Sequence, residues 1–264
     1  MKISGIEITH PEKIIFPDAN ITKLEMVRHY EKNAKQMLPY LKDRPLTLHR
    51  FPDGIDKTGF YQKNAADYFP DFIKTVKVKT EEGENIQILC NSEKALLYLA
   101  NQGTVGFHIW LSKKDKLYKP DKVVFDLDPP KDSFDKVKKA AQITGEFLRK
   151  KGFDPMIMTT GQSGFHIWYK IQRRNTFDEI RPKLKEMAQE LEEQNSELFT
   201  TAVRKNKRDG RIFIDYLRNA YAQTSVCPYS LRPNGRGGIA KPIEWSDLKN
   251  IKSADQYNLQ DLKD

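Results

Sequence analysis

The chain has 264 residues, with 45 lysines and arginines against 36 aspartates and glutamates, so its formal net charge is +9. The length allows one large domain or two modest ones, and the basic balance favours an anionic partner, nucleic acid first among them. Two cysteines without C-x-x-C spacing argue against a disulfide framework or a zinc ribbon. No apolar run approaches the roughly 20 residues that span a bilayer, and the N-terminus lacks a signal-peptide core, so we expect a cytoplasmic protein and no membrane partner.

Four helices are predicted from capping residues and apolar spacing. Thr22 and Glu25 form a capping box at the start of the first helix, which Pro39 is expected to end. A second capping box, Thr176 with Glu179, starts the last helix. The predicted helices cover 22–38, Ser92 through Leu99, 134–151 and 177–194.

Strand-like runs rich in β-branched and aromatic residues lie between these helices. They cover 46–51, 73–79, 86–90, 105–111, 123–128, 156–160, 165–171 and 211–217. Strands and helices do not alternate regularly as βαβ units, so we expect an α+β fold with mixed, mostly antiparallel sheets flanked by helices. No glycine-rich linker divides the chain, and we predict a single domain over 1–264.

The most informative segment is Val123-Val124-Phe125-Asp126-Leu127-Asp128-Pro129-Pro130, an apolar strand that contains two acids. Residues i and i+2 of a strand point to the same face, so Asp126 and Asp128 are predicted to project together. Two like charges at this spacing destabilise each other unless a positive group lies between them, and hard divalent cations prefer carboxylate oxygens. The alternative is a strand end whose acids cap the next turn.

A single acid lies inside a second β-rich run, Arg211-Ile212-Phe213-Ile214-Asp215-Tyr216-Leu217. Burying an acid among apolar residues is costly without a partner, so Asp215 is a candidate third ligand of the same metal site. Three acids from two strands are typical of nucleotidyl transferases with two metal ions. The alternative is a salt bridge to one of the neighbouring arginines, Arg204, Arg208, Arg211 or Arg218.

The pentapeptide Gly-Phe-His-Ile-Trp occurs twice, at 106–110 and 164–168, on either side of the two acids. In each copy the histidine, His108 or His166, is predicted to face away from the Phe and Ile of its strand. Histidine can bind phosphate and donate a proton near neutral pH, although a lone histidine in a strand is commonly structural. A turn rich in glycine and hydroxyl groups, 159–164, precedes His166 and is either an anion-binding loop with exposed amides or an ordinary hairpin loop.

Basic and aromatic residues supply the remaining candidates. The run 204–211 is dense in positive charge and is either a solvated turn or a guide for a nucleic-acid backbone or a triphosphate. Phe60 and Tyr61 are adjacent in a strand and normally one of them would be buried; if exposed, either could stack on a base.

These motifs, in this order, resemble the polymerase domain of bacterial DNA ligase D and its stand-alone relatives in the archaeo-eukaryotic primase superfamily. The similarity runs from His10-Pro11-Glu12-Lys13 to Pro242-Ile243-Glu244-Trp245 and includes F-D-L-D-P, T-G-x-S-G-x-H, I-D-Y-L-R-N and P-Y-S-L-R. It implies a primase-polymerase fold and a template-dependent nucleotidyl transferase that fills gaps and extends ends in non-homologous end joining. It also implies two Mn²⁺ or Mg²⁺ ions and, often, a preference for ribonucleotides (NTP over dNTP).

The resemblance assigns roles to matching residues. It implies metal binding and catalysis by Asp126, Asp128 and Asp215, and nucleotide or triphosphate binding by His108, Thr160, Ser163, His166 and Arg232. It implies recognition of a 5′-phosphate on DNA by Lys13 and Lys23, stacking on the templating side by Phe60 and Tyr61, and further basic contacts to nucleotide or DNA by Arg50 and Lys63.

The implied partners are broken or gapped DNA, a separate DNA ligase and the end-binding protein Ku. We expect the ligase to be another protein because no ligase or nuclease motif accompanies these residues. Two alternatives stay open: a primase-polymerase for replication or plasmid maintenance, and a non-catalytic module that binds DNA ends.

Overall fold

The helices of the computed structural model, which describes residues 1–80, 83–130 and 133–262, match the four predicted segments. They are α1 (Lys23–Leu41), α2 (Glu93–Asn101), α3 (Phe134–Lys150) and α4 (Phe177–Gln194). Both predicted capping boxes are formed, and the Ser92 side chain accepts a hydrogen bond from the Ala95 amide at the start of α2. Short 3-10 helices cover 205–207, 245–250 and 260–262.

The first helix extends past its predicted end at Pro39. Pro39 lies inside α1, which continues to Leu41. The missing proline N–H removes one hydrogen bond, but the Lys42 amide, just beyond the helix, still donates to the Leu38 carbonyl at 2.9 Å. Met37 and Leu41 are fully buried on this last turn, so packing against the core holds it in place.

Two sheets form the centre of the molecule. The larger, in the order β13-β14-β10-β12-β11-β16, contains β10 (Lys122–Asp128), β11 (Met156–Thr159), β12 (Phe165–Lys170), β13 (Phe199–Thr200), β14 (Ile212–Asp215) and β16 (Pro242–Ile243). The smaller, in the order β15-β9-β5-β6, contains β5 (Leu46–Arg50), β6 (Phe60–Gln62), β9 (Thr104–Trp110) and β15 (Thr224–Val226).

Three two-stranded units complete the described strands. They are β1 (Lys2–Ile3) with β2 (Ile6–Glu7), β3 (Ile14–Phe16) with β4 (Ile21–Thr22), and β7 (Lys74–Thr80) with β8 (Gly83–Leu89). The strands β7 and β8 pair with each other in an antiparallel register, and residues 81–82, which lie between them in the chain, are outside the described residues. All strand pairs described are antiparallel except β13 with β14, which confirms the predicted α+β class with mostly antiparallel sheets.

Each sheet buries one face in its own apolar core. Phe125 and Leu127 of β10 pack with Ile167 of β12 in a core that includes residues of α3 and α4. Phe107 and Ile109 of β9 belong to a second core, which includes residues of α1 and α2. Side chains alternate between the two faces along a strand. The polar residues between these apolar ones therefore lie on the face of each sheet that is turned away from its core, and the candidate site is found there.

The described residues contain no helix that combines the length and the apolar character needed to cross a membrane.

Candidate active site

The three predicted acids lie on two neighbouring strands at the centre of the larger sheet. Asp126 and Asp128 are on β10, and Asp215 is the last residue of β14. In the antiparallel register Asp215 is directly opposite Asp126, which also pairs with His166 of β12 on its other side. Asp126 and Asp215 are only 7% and 8% exposed, so their charges must be balanced within the protein.

Two side chains supply that balance. The His166 Nε2 atom is 3.3 Å from Asp126 Oδ1, and the Arg218 Nε atom is 3.5 Å from Asp126 Oδ2 and 3.1 Å from Asp215 Oδ2. The Arg218 guanidinium therefore lies between two of the three acids. The structure contains the salt bridge that was the alternative prediction for Asp215, with Arg218 as the partner.

The three carboxyl groups influence one another through charge. Burial and repulsion by Asp126 and Asp215 raise the pKa of Asp128 to about 6. Burial also raises the pKa of Asp215, although Arg218 opposes the change. For Asp126, burial would raise the pKa, but attraction and a hydrogen bond from His166, with help from Arg218, outweigh it and hold the pKa below its ordinary value. The three acids thus act as one charged cluster.

Two of the acids, Asp126 and Asp128, line a cleft of about 540 Å³ between the two sheets, and Asp215 lies opposite Asp126 on the neighbouring strand β14. Asp126, Asp128 and His166 line it from the larger sheet, while Tyr61 and His108 line it from the smaller sheet. The repeated Gly-Phe-His-Ile-Trp segments thus occupy β9 of one sheet and β12 of the other, and their histidines line the same cleft. This confirms the predicted strand faces, because the Phe and Ile of each copy are in the apolar cores.

The two histidines differ in their electrostatic surroundings. His166 contacts a carboxylate, whereas burial together with the positive charges of Arg232 and Arg218 holds the pKa of His108 well below its usual range. His108 is therefore a neutral imidazole near pH 7, able to donate or accept a hydrogen bond but not to add positive charge.

The loop that follows β11 is tightly packed. A Cβ atom on Gly161 would lie 2.7 Å from the Ile239 backbone, and one on Gly164 would lie 2.1 Å from the Leu127 carbonyl oxygen, so both positions require glycine. The buried Thr160 hydroxyl accepts from the amides of residues 162, 163 and 164 at 3.4, 3.2 and 3.1 Å. Of the two alternatives for this loop, the structure does not show the one with exposed amides at 162–164, because these amides turn toward Thr160.

The loop presents side chains to the cleft instead. Gln162 and Ser163 are exposed and line the cleft together with Thr160. The Gln162 Oε1 atom accepts hydrogen bonds from the Arg232 guanidinium, at 3.2 Å from Nε and at a shorter distance from the second nitrogen. This contact holds Arg232 at the cleft.

Tyr61 and Phe60 are both exposed, at 60% and 47%, on the short edge strand β6. Tyr61 stacks on His49 with ring centroids 4.1 Å apart and lines the cleft beside Lys63. Phe60 faces away from it, and the Arg50 guanidinium lies 5.3 Å from its ring centroid. Arg50 is buried and donates to the Gln102 carbonyl and to the Gln62 side chain, so the structure does not bring Phe60 or Arg50 into the cleft.

Lys13 and Lys23 form a separate basic site at the N-terminus of α1. The Lys23 amide donates to the Lys13 carbonyl at 2.7 Å, and the Lys23 ammonium donates to the Thr9 hydroxyl at 2.9 Å. The Lys13 ammonium is 2.6 Å from the exposed Asp53 carboxylate. Burial, and then the charge of Lys13, lower the pKa of Lys23 to about 8. Two close lysines at a helix N-terminus favour an anion.

The chain has relatives among known proteins. It matches the family described as "LigD, primase-polymerase domain" over residues 22–264. The chain belongs to this family. It is 30% identical over 260 residues to the multifunctional non-homologous end joining protein LigD of Pseudomonas aeruginosa and 31% identical over 247 residues to the bifunctional LigD of Bacillus subtilis. These alignments cover 98% and 93% of the chain but 31% and 40% of the relatives, so the chain spans less than half of their length.

The fold is that of the LigD polymerase domain. The polymerase domain from Mycobacterium tuberculosis Ligase D in complex with DNA superimposes with a TM-score of 0.89 and 24% sequence identity. The match covers 97% of this chain and 93% of that one. The sequence-based resemblance to this family and the predicted primase-polymerase fold are both confirmed.

The three acids are the candidate ligands for the divalent metal ions on which LigD polymerase domains in general depend. Within residues 1–80, 83–130 and 133–262, no group of three His, Cys, Asp or Glu side chains is arranged as a ready metal site. The donors nevertheless suit Mn²⁺ or Mg²⁺, because all three are carboxylates and the raised pKa of Asp128 records their repulsion. An ion on these oxygens would compete with Arg218 for Asp126 and Asp215.

Sequence analysis missed two residues that shape this LigD-type site. Gln162 positions Arg232, and its only sequence signal is its place inside the glycine loop. Asn219 is buried, and its side chain bonds both the amide and the carbonyl of Val124 at 2.8 and 2.7 Å. It thereby fixes the turn after Asp215 against β10, two residues before Asp126.

Proposed function

We propose that this chain is a template-dependent nucleotidyl transferase that fills gaps and extends ends during non-homologous end joining. The observation that carries the proposal is the grouping of Asp126, Asp128 and Asp215 on two paired strands, beside a cleft that Asp126 and Asp128 line together with cations and an exposed aromatic ring. Carboxylates, cations and a stacking surface are what a metal-dependent reaction on a nucleoside triphosphate requires.

The proposed chemistry divides between the two walls. Two Mn²⁺ or Mg²⁺ ions held by Asp126, Asp128 and Asp215 would activate the primer 3′-hydroxyl and bind the triphosphate. Arg232 and Lys63 would hold phosphate oxygens from the opposite side. His166 keeps Asp126 oriented and ionised. Neutral His108, Thr160 and Ser163 would donate hydrogen bonds to the nucleotide.

The proposal extends to the DNA. Lys13 and Lys23 would bind the 5′-phosphate at the far side of a gap, and Phe60 and Tyr61 would stack on the templating side. Arg50 supports this surface through its contact with Phe60. We further propose a ribonucleotide preference, and a separate ligase and Ku as partners in the cell. The cytoplasm, at the nucleoid, is the proposed location.

The decisive test is extension of a primer across a short gap. Reactions contain Mn²⁺ or Mg²⁺, one NTP or the matching dNTP, and DNA with or without a 5′-phosphate at the gap. We expect templated addition that is faster with the phosphate and with the NTP. Absence of any addition would overturn the polymerase assignment, whereas dinucleotide synthesis on single-stranded DNA without a primer would favour the priming alternative.

Removal of the exposed ring in the cleft is expected to weaken substrate binding. Stacking of one base on an aromatic side chain contributes about 1–3 kcal/mol, so Tyr61→Ala is expected to raise the KM for the nucleotide or the template by about tenfold. Tyr61→Phe keeps the ring and is expected to remain near the wild-type value. Equal kinetics for Tyr61→Ala and the wild type in single-nucleotide extension would show that this ring stacks on neither substrate.

The preference for a 5′-phosphate is expected to depend on pH. Lys23 carries its positive charge below its pKa of about 8 and loses it above that value. The ratio of extension rates on phosphorylated and unphosphorylated gaps is therefore expected to be constant from pH 6.5 to about 7.5 and to fall toward pH 9. Lys23→Arg is expected to keep the ratio at pH 9, since arginine stays charged. A ratio that falls equally in both proteins would assign the titration to another group.

A further inference from the structure

A second groove, of about 500 Å³, lies at the other end of the crevice between the sheets. Lys122 and Trp168 line it, and they are on the same strands and the same faces as the cleft residues Asp126 and His166. A narrow void lined by Lys122, Val124, His166 and Trp168 lies between this groove and the cleft. We call this second opening the rear groove; its further lining includes Tyr40, Arg44, Lys113, Asp121, Met156, Lys170 and Arg173.

The central feature of the rear groove is a buried lysine. Lys122 is 7% exposed, and within the described residues its ammonium has no hydrogen bond or ion pair. The ammonium lies over the Trp168 ring in a cation–π contact, 5.4 Å from the ring centroid. An ammonium on a residue this buried is costly without an anionic partner. Burial, and then the charge of Arg44, lower the pKa of Lys122 to about 7, although the charge of Asp121 opposes the change.

The surroundings add positive charge and offer no free carboxylate. Lys170 is directly opposite Lys122 in the antiparallel register. Two positive charges in directly opposite positions destabilise a sheet. Asp121 is bound by both terminal nitrogens of Arg44 at 2.8 and 2.6 Å. Arg173 is paired in the same way with Asp115. Among the described side chains no carboxylate forms an ion pair with Lys113, Lys122 or Lys170.

We propose that the rear groove is a second phosphate-binding site, distinct from the catalytic cleft, in which Lys122 is the buried anchor and Lys113 and Lys170 are the rim. Its ligand is a phosphate-bearing anion, either a free polyphosphate such as pyrophosphate or the backbone of a nucleic-acid strand. Bound phosphate oxygens would satisfy the Lys122 ammonium and separate it from Lys170. The groove is large enough for several phosphate groups.

The test follows the indole N–H signal of Trp168 by NMR while the whole protein, without metal ions, is titrated at about 0.15 M salt. One titration uses sodium pyrophosphate and the other uses an unphosphorylated oligothymidine. We expect a saturable shift of the Trp168 signal, with at least about tenfold weaker binding in Lys122→Met, because a hydrogen bond to a charged group is lost. Saturation by pyrophosphate identifies a free-anion site, and saturation by the oligonucleotide alone identifies a strand-binding site.

Two controls keep the outcome specific. Lys122→Met is expected to stay folded and to melt at the same or a higher temperature, since the charge of a largely buried lysine is removed. Lys113→Gln with Lys170→Gln removes charge from the rim of the same site, where Lys113 is half-buried and Lys170 is exposed. Lys183→Met removes the same charge as Lys122→Met, but from the exposed face of α4. Arg232→Gln weakens phosphate binding in the cleft and is expected to leave the Trp168 titration unchanged. No saturable shift, or an equal shift in Lys122→Met, overturns the proposal.

Discussion

Replacement of Asp126 by alanine is expected to abolish nucleotide addition while binding of gapped DNA persists. Asp126 contacts both His166 and Arg218 and lies opposite Asp215, so it is the carboxylate through which the cluster is connected. Its removal takes away one proposed metal ligand, and the rate of addition is expected to fall by at least about 10³-fold. The fold is expected to survive, because Arg218 keeps Asp215 as a partner.

The measurements are single-nucleotide extension and a DNA-binding titration on the same preparation. Asp154→Ala serves as the matched control, since Asp154 is exposed and is not among the residues that line the cleft. Asp215→Asn is expected to lose activity like Asp126→Ala while preserving the size of the side chain. Extension by Asp126→Ala at a rate near that of Asp154→Ala would remove the carboxylates from the proposed chemistry.

The strand that carries the acids was predictable from local sequence. Val123, Phe125 and Leu127 alternate with Asp126 and Asp128, and a period of two leaves a single choice of face once the apolar side is buried. The two histidine strands followed the same rule. That all three strands border one cleft could be expected only from the family resemblance, because strand order depends on contacts between residues distant in the chain.

Other features depend on tertiary contacts that local sequence does not record. Strands of two or three residues, such as β6 with Phe60 and Tyr61, are too short to show a period. From the sequence, Arg218 was one of four possible salt-bridge partners of Asp215. Its position between Asp126 and Asp215 depends on the turn that Asn219 fixes. In the sequence, Lys122 is indistinguishable from an ordinary polar residue at the start of a strand. Its burial depends on packing against Trp168.

Replacement of Lys23 by alanine is expected to have a large effect on the preference for a 5′-phosphorylated gap. The structure brings Lys23 and Lys13 together at the start of α1, remote in sequence from the carboxylates and outside the cleft lining. The variant is expected to reduce the preference for a 5′-phosphorylated gap by about tenfold or more, the effect of removing one charged hydrogen bond to phosphate. Extension on the unphosphorylated gap is expected to remain close to wild type, because the catalytic cluster is untouched.

Lys35→Ala is the matched control, since Lys35 is an exposed lysine on the same helix. Both variants lose one positive charge, so any uniform weakening of DNA binding appears in both. A selective effect of Lys23→Ala therefore separates recognition of one phosphate from general attraction to the DNA backbone. Equal losses by Lys23→Ala on phosphorylated and unphosphorylated gaps would show that α1 contributes only general attraction, and the end-recognition part of the proposed function would fail while the carboxylate chemistry stood.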